Sequence, residues 1–218
     1  ISKGPVSKLQ IIPPDVLLAP GARSQVEVVG LDKDGWVVQE NMRPDWASFI
    51  PPTAKVKSTA DATFGRRNRI RADRDAGTSA GAFKATDDEA SGILRARVLP
   101  GLPFSEDFES FDINEAYPAA HVQAGTAFAY PPLPWIGARF KWDIREMDGS
   151  KVLVKTLDNV LFQRATSFIG HPDASNYTVE ADVMTDGNRR MKSTVGVINQ
   201  RYVIALIGNW QELEVSAN

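Results

Sequence analysis

The sequence predicts an all-β chain of two β-sandwiches in tandem. Three observations carry this. Apolar and polar residues alternate with period two in many short runs, and no segment sustains the 3.6-residue period of an amphipathic helix. Asp34-Gly35 and Asp148-Gly149, dipeptides that favour tight hairpins, each stand between β-rich runs. The composition also shifts near residue 100. Residues 1–101 hold 15 Lys and Arg against 12 Asp and Glu, whereas residues 102–218 hold 10 against 15. Of the 19 aromatic residues, 5 precede residue 102. Pro100, Gly101 and Pro103 make a short linker between domains 1–101 and 102–218.

In the first domain, KLQII at residues 8–12 is a strand ended by Pro13-Pro14-Asp15. In SQVEVVGL, Val26 and Val28 alternate with Gln25 and Glu27, as in a strand with one buried face. LDKDGWVVQE then reads as a hairpin. ILRARV places Ile93, Arg95 and Arg97 on one face and Leu94, Ala96 and Val98 on the other. Many short strands with turn signals between them suit a sandwich.

The second domain opens on LPFSEDFESFD, residues 102–112. Phe104, Phe108 and Phe111 have helical spacing, but Phe104 and Phe108 also share strand parity. The expectation is a first strand hinged at Pro103, with Phe111 beyond a bend. The proline-rich stretch 113–135 is expected to be an irregular loop. In ARFKWDIRE, Phe140, Trp142 and Ile144 alternate with charged residues. NYTVEADVM alternates in the same way, with Tyr177, Val179, Ala181 and Val183 on one face. YVIALI, residues 202–207, is continuously apolar and predicts a central strand covered on both faces.

Composition excludes several functions. The net charge of -2 and pI of about 5.8 give no overall field toward nucleic acid or anionic membrane. No apolar run approaches the roughly 18 residues of a membrane-crossing helix. Cysteine is absent, which removes disulfides, thiolate metal sites and cysteine nucleophiles. Residue 1 is Ile rather than Met, so a trimmed product is the expectation.

Residues 8–99 resemble bacterial immunoglobulin-like domains of the group-two type. The resemblance is carried by KLQIIPPDVLLAPGARSQVEVVGLDKDG, by Trp46-Ala47-Ser48 and by AGAFKATDDEASGILRARV. The longer, arginine-rich stretch 50–80 departs from that pattern. Residues 103–218 resemble a concanavalin-A-like, laminin-G-like jelly roll, through LPFSEDFESFD, PPLPWIG, KWDIREMDGSKVLVKTLDN, SFIGHPDASNYTVEADV and GVINQRYVIALIGNWQELEV. The pair resembles the C-terminal region of exported bacterial proteins that carry a quinoprotein-type β-propeller. That resemblance implies an extracellular or periplasmic location and a non-catalytic accessory role, with carbohydrate as ligand. Such jelly rolls commonly run longer, so a truncated sheet is expected to self-associate through the C-terminal strand, residues 210–218.

The candidate sites follow from residue chemistry. No nucleophile-elbow, zinc-protease, phosphate-loop or dinucleotide motif occurs. The histidines are His121 and His171, and His171-Pro172-Asp173 suits a turn better than a catalytic pair. Paired acids that could hydrolyse a glycoside would come from Glu106, Asp107, Glu109, Glu180 and Asp182, although a solvated strand face explains them more simply. Calcium is the one cofactor left open. Asp32-Lys33-Asp34-Gly35 lacks the terminal Glu of an EF-hand and reads as a turn, which leaves Asp107, Asp158 and Asn159. In GRRNRIRADR, Arg67, Arg69 and Arg71 would share one strand face and could hold sulfate, phosphate or acidic glycans, although a solvated strand, or an arginine face docked on the acidic second domain, explains them more simply. No aromatic residues interleave them as stacking on nucleic-acid bases requires. For a sugar, Asn199, Arg201, Tyr202, Asn209 and Trp210 are expected to line one concave surface.

Overall fold

The computed structural model describes residues 4–54, 56–114, 127–139, 141–155, 165–186, 193–208 and 210–217. Among them the secondary structure is all β, with no helix. Hence no helix among them is long and apolar enough to cross a membrane. The chain divides into two compact units, residues 1–173 and 174–218. The boundary expected at residues 101/102 lies inside the first.

The first unit begins with β1 (Lys8–Ile12), β2 (Asp15–Leu18), β3 (Arg23–Gln25), β4 (Glu27–Leu31) and β5 (Val37–Gln39). There follow β6 (Asp45–Phe49), β7 (Ala62–Gly65), β8 (Arg69–Ala72), β9 (Ser79–Asp87) and β10 (Ala90–Val98). They form three sheets with orders β1-β4-β5, β2-β10-β9-β6 and β3-β8-β7. All pairs are antiparallel except β2 with β10, which is parallel. β3 and β4 are one stretch broken at Val26. Through β3 it pairs with β8, and through β4 with β1.

Alternation decides what these strands bury. Leu9 and Ile11 of β1, Val16 and Leu18 of β2, and Ile70 and Ala72 of β8 point inward. Phe83 and Ala85 of β9 and Leu94, Ala96 and Val98 of β10 meet them in the same core. Burying one Leu side chain is worth about 1.5–3 kcal/mol, so this set supplies most of the unit's cohesion. The outward residues of β10 are equally ordered. Arg97 donates to both oxygens of Asp15 on β2 at 2.8 and 2.9 Å, and Arg95 lies 3.2 Å from the same carboxylate. Glycine is needed where the sheets touch: a Cβ on Gly92 of β10 would stand 2.5 Å from the Leu9 carbonyl oxygen.

Both expected hairpins form. Asp34-Gly35 lies between β4 and β5. Asp148 (φ 53°) and Gly149 (φ 85°) join β11 (Asp143–Met147) to β12 (Ser150–Val154). Both residues are left-handed, as a two-residue hairpin loop demands. A smaller apolar cluster surrounds this hairpin, with Phe128, Trp135, Ala138 and Ile144 buried. Trp142 and Lys141 precede β11 rather than joining it, and Phe140 lies outside the described residues. Asp143 is fully buried, and Arg145 donates to it at 2.9 Å.

Residues 104–111 correct the expected opening strand. They form a bend and a turn, neither strand nor helix. Phe108 is left-handed (φ 63°), which ends any extended run there. The acids explain the turn: Glu106 accepts the Phe108 N–H at 2.9 Å and Asp107 accepts the Glu109 N–H at 3.1 Å. Short acids that bond their own backbone two residues on compete with strand pairing. The Phe108 ring instead packs edge-on against Trp135, with centroids 5.7 Å apart.

In the second unit, β13 (Thr194–Asn199), β14 (Tyr202–Ile207) and β15 (Glu212–Ala217) form an antiparallel meander. YVIALI is its central strand, as expected. The expectation that both its faces are covered is corrected: Tyr202 and Ile204 are exposed, as are Leu213 and Val215 beside them. The expected strand at 177–183 is also absent. Those residues pair with no strand among the described residues, and Val179 and Val183 are exposed.

Candidate functional site

The β7–β8 hairpin carries the most organised polar feature of the first unit. Gly65 pairs with Arg69, which leaves Arg66, Arg67 and Asn68 as the loop. Arg67 (φ 60°) and Asn68 (φ 55°) are both left-handed. Asn tolerates that conformation through its short polar side chain, whereas Arg adopts it only where its surroundings impose it.

Those surroundings are specific. The buried Asn68 amide donates to the Met42 carbonyl at 2.8 Å, and its oxygen accepts the Trp46 indole N–H at 3.2 Å. The Asn68 carbonyl accepts the Val26 N–H at 3.1 Å, at the break between β3 and β4. The Gln25 amide donates to the Arg67 carbonyl. Trp46 on β6 is stacked on Phe64 of β7, with centroids 3.8 Å apart and planes 2° from parallel. Phe64 in turn meets Phe83 of the core edge-on at 5.2 Å. The loop is therefore tied to β3, to β6, to the break at Val26 and to the segment before β6, so its arginines project from a fixed base.

Two open depressions flank this loop. Arg43, Pro44, Trp46, Gly65, Arg66, Arg67 and Asn68 line the first, of about 430 Å³. The second, of about 450 Å³, lies toward Gln25, Val26, Glu27 and Asn41, and shares Arg43, Arg67 and Asn68 with the first. Arg43, Arg66 and Arg67 are exposed and form no ion pair with any described residue. Three unneutralised guanidiniums beside a half-buried Trp give a surface suited to forked hydrogen bonds with a carboxylate, sulfate or phosphate.

The sequence-predicted residues are placed as follows. Arg69 and Arg71 share the exposed face of β8, with Ile70 and Ala72 buried behind them. Arg67 stands in the loop rather than on the strand. Arg71 is paired with Asp73 at 2.6 Å. Asn199, Arg201 and Tyr202 meet at the β13–β14 turn, where the Arg201 guanidinium lies 5.6 Å from the Tyr202 ring centre. Trp210 lies in the β14–β15 loop, at the other end of β14. Five residue steps along a strand separate Tyr202 from Ile207, roughly 17 Å. The described members of the expected sugar-binding set therefore stand at the two ends of β14, and Asn209 lies outside the described residues.

The acid candidates have structural duties. Glu106 and Asp107 cap their own turn. Glu109 accepts the Lys151 N–H at 2.8 Å, and its carbonyl accepts the Lys151 ammonium at 2.8 Å. Glu180 and Asp182 are exposed on a segment outside any sheet. The His171 ring Nδ1 accepts the Asp173 N–H at 3.2 Å, which is local turn chemistry. Asp32 organises its hairpin: the backbone N–H of Trp36 holds its carboxyl below the ordinary 3.8, against the opposing effect of burial, helped by the N–H groups of Gly4 and Asp34 and by Lys33. Among the described residues no group of three or more His, Asp or Glu is placed to hold a metal ion. Asp158 and Asn159 lie outside the described residues, as does His121.

Sequence reasoning missed Arg43, Trp46 and Arg66. Arg66 adjoins the basic run. Arg43 and Trp46 are twenty or more positions from the loop, and the signal that could have linked them is the hydrogen-bonding appetite of a buried Asn beside a Trp. The chain matches no protein-family model and no curated relative.

Proposed function

We propose that this chain is a non-catalytic binding region of an exported bacterial protein, working outside the cytoplasm on carbohydrate or a cell-surface glycan. One observation carries the binding role: the fixed, unneutralised arginine cleft of Arg43, Arg66 and Arg67 beside Trp46. A cleft of one charge raises the local concentration of oppositely charged ligand, and guanidinium forks then orient it. The strand pairing supports an immunoglobulin-like sandwich for the first domain. An initial strand pairs antiparallel (β1 with β4), its continuation pairs parallel to the last strand (β2 with β10), and β10-β9-β6 completes that second sheet. The hairpin and meander beyond residue 140 are compatible with the lectin-like resemblance.

The test is calorimetric titration of the chain with acidic and neutral oligosaccharides. The wild type is expected to bind, and Arg43→Ala with Arg67→Ala to weaken binding about tenfold or more, since two charge-assisted contacts are lost. A double variant that binds as the wild type does removes the cleft from the account.

A second reading has its own observation. On one face of the meander, Val195, Leu206 and Leu213 form one row and Val197, Ile204 and Val215 the next. An assembly role through this face and the β15 edge would make the chain a dimer in light scattering. A monomer across the concentration range would dismiss it.

A further inference from the structure

The arginine cleft is one end of a longer basic track. On the outer face of β3 and β8, Gln25 stands opposite Arg69, and Arg23 stands directly opposite Arg71. All four are exposed. Gln25 also lines the second depression and bonds the Arg67 carbonyl, so the cleft and the strand face are continuous. Arg69 and Arg71 are i, i+2 neighbours, roughly 7 Å apart along the strand. The acids facing this track are Glu27 at the second depression and Asp73 on Arg71. They leave Arg23, Arg43, Arg66, Arg67 and Arg69 without ion pairs among the described residues.

A like-charge pair directly across a sheet is destabilising. Asp73 offsets Arg71, so across this pair Arg23 is the charge without an ion pair among the described residues, and a ligand with repeated negative charges would supply its counter-charge. The two depressions are open and share Arg43, Arg67 and Asn68, an arrangement that suits a chain laid across both better than a small molecule enclosed by either.

Resting on the binding role proposed above, we infer that the ligand is an extended polyanionic polysaccharide. It bears carboxylates or sulfates and runs from the Arg43–Arg66–Arg67 cleft along β8 past Arg69 to Arg71 and Arg23. A nucleic acid is the other extended polyanion, but one face of the cleft's Trp46 is taken by Phe64, and the strand face from Arg69 to Arg23 carries no aromatic side chain to stack bases.

The test titrates the full chain with the di-, tetra- and octasaccharides of galacturonate, with neutral dextran and with single-stranded DNA. The octasaccharide is expected to bind tightest, with affinity falling as salt rises. Arg23→Gln with Arg69→Gln should weaken the octasaccharide about three- to tenfold and leave the disaccharide unchanged. Equal affinity for di- and octasaccharide overturns the inference, as does tighter binding of DNA. Neutral dextran bound as well as galacturonate, and lost in the cleft variants, overturns the polyanion while keeping the binding role. No binding of any glycan overturns both.

Discussion

β8 alternates charged and apolar residues, β14 is apolar throughout, and it is the mixed strand that is sealed and the apolar one that is left exposed. β8, RIRA, alternates exposed arginines with Ile70 and Ala72, and its apolar face is sealed in the core of the first unit. In β14, YVIALI, Tyr202 and Ile204 face outward, and the neighbouring Leu213 and Val215 of β15 are exposed beside them. Alternation states which residues share a face. It does not state whether anything covers that face, because the cover comes from distant strands. In the first unit β2, β9 and β10 supply it.

The largest expected difference between the two regions is in stability. Leu94 is fully buried, so Leu94→Ala should cost about 2–5 kcal/mol in urea unfolding. Leu213 is 69% exposed, and Leu213→Ala should stay within about 0.5 kcal/mol. A comparable loss at Leu213 would mean that its face is covered in solution.

A smaller effect sharpens the link between core and cleft. Asn68→Ala leaves the Met42 carbonyl and the Trp46 N–H without their partner, which should cost about 1–3 kcal/mol. It should also weaken ligand binding, because the loop loses its ties to β6 and to the segment before it. Asn68→Ala that lowers stability but leaves affinity intact would separate the two roles.

The smallest expected effect is pH dependence at the β4–β5 hairpin. The Asp32 carboxyl is held below its ordinary 3.8, so its ionised form stabilises the fold. That contribution is fully present above 3.8 and is lost as pH falls through the lower folded-state value. Asp32→Asn should flatten the acid limb of the stability curve in that window. A variant with an unchanged acid limb would remove Asp32 from the account.

What was legible in the sequence follows the same division. The Asp34-Gly35 and Asp148-Gly149 hairpins were readable because a turn is decided within four residues. The faces of ILRARV were readable because its alternation is strict. LPFSEDFESFD was misread because Glu106 and Asp107 bond the backbone two residues on, and periodicity does not register that competition. NYTVEADVM alternates well yet pairs with no strand among the described residues, and pairing is a long-range event. The cleft was half legible. The arginine run marked Arg67, whereas Arg43 and Trp46 reach it only through the buried amide of Asn68. Of the expected sugar-binding set, Asn199, Arg201 and Tyr202 stand at one end of β14 and Trp210 at the other, because residues flanking one strand can stand at its two ends.

The most direct measurement is amide chemical-shift mapping of the chain with a galacturonate octasaccharide. The account predicts shifts at Arg43, Trp46, Arg66, Arg67 and Asn68, continuing through Arg69 and Arg71 to Arg23. Shifts centred on Arg201, Tyr202 and Trp210, with none at the β7–β8 loop, would contradict it.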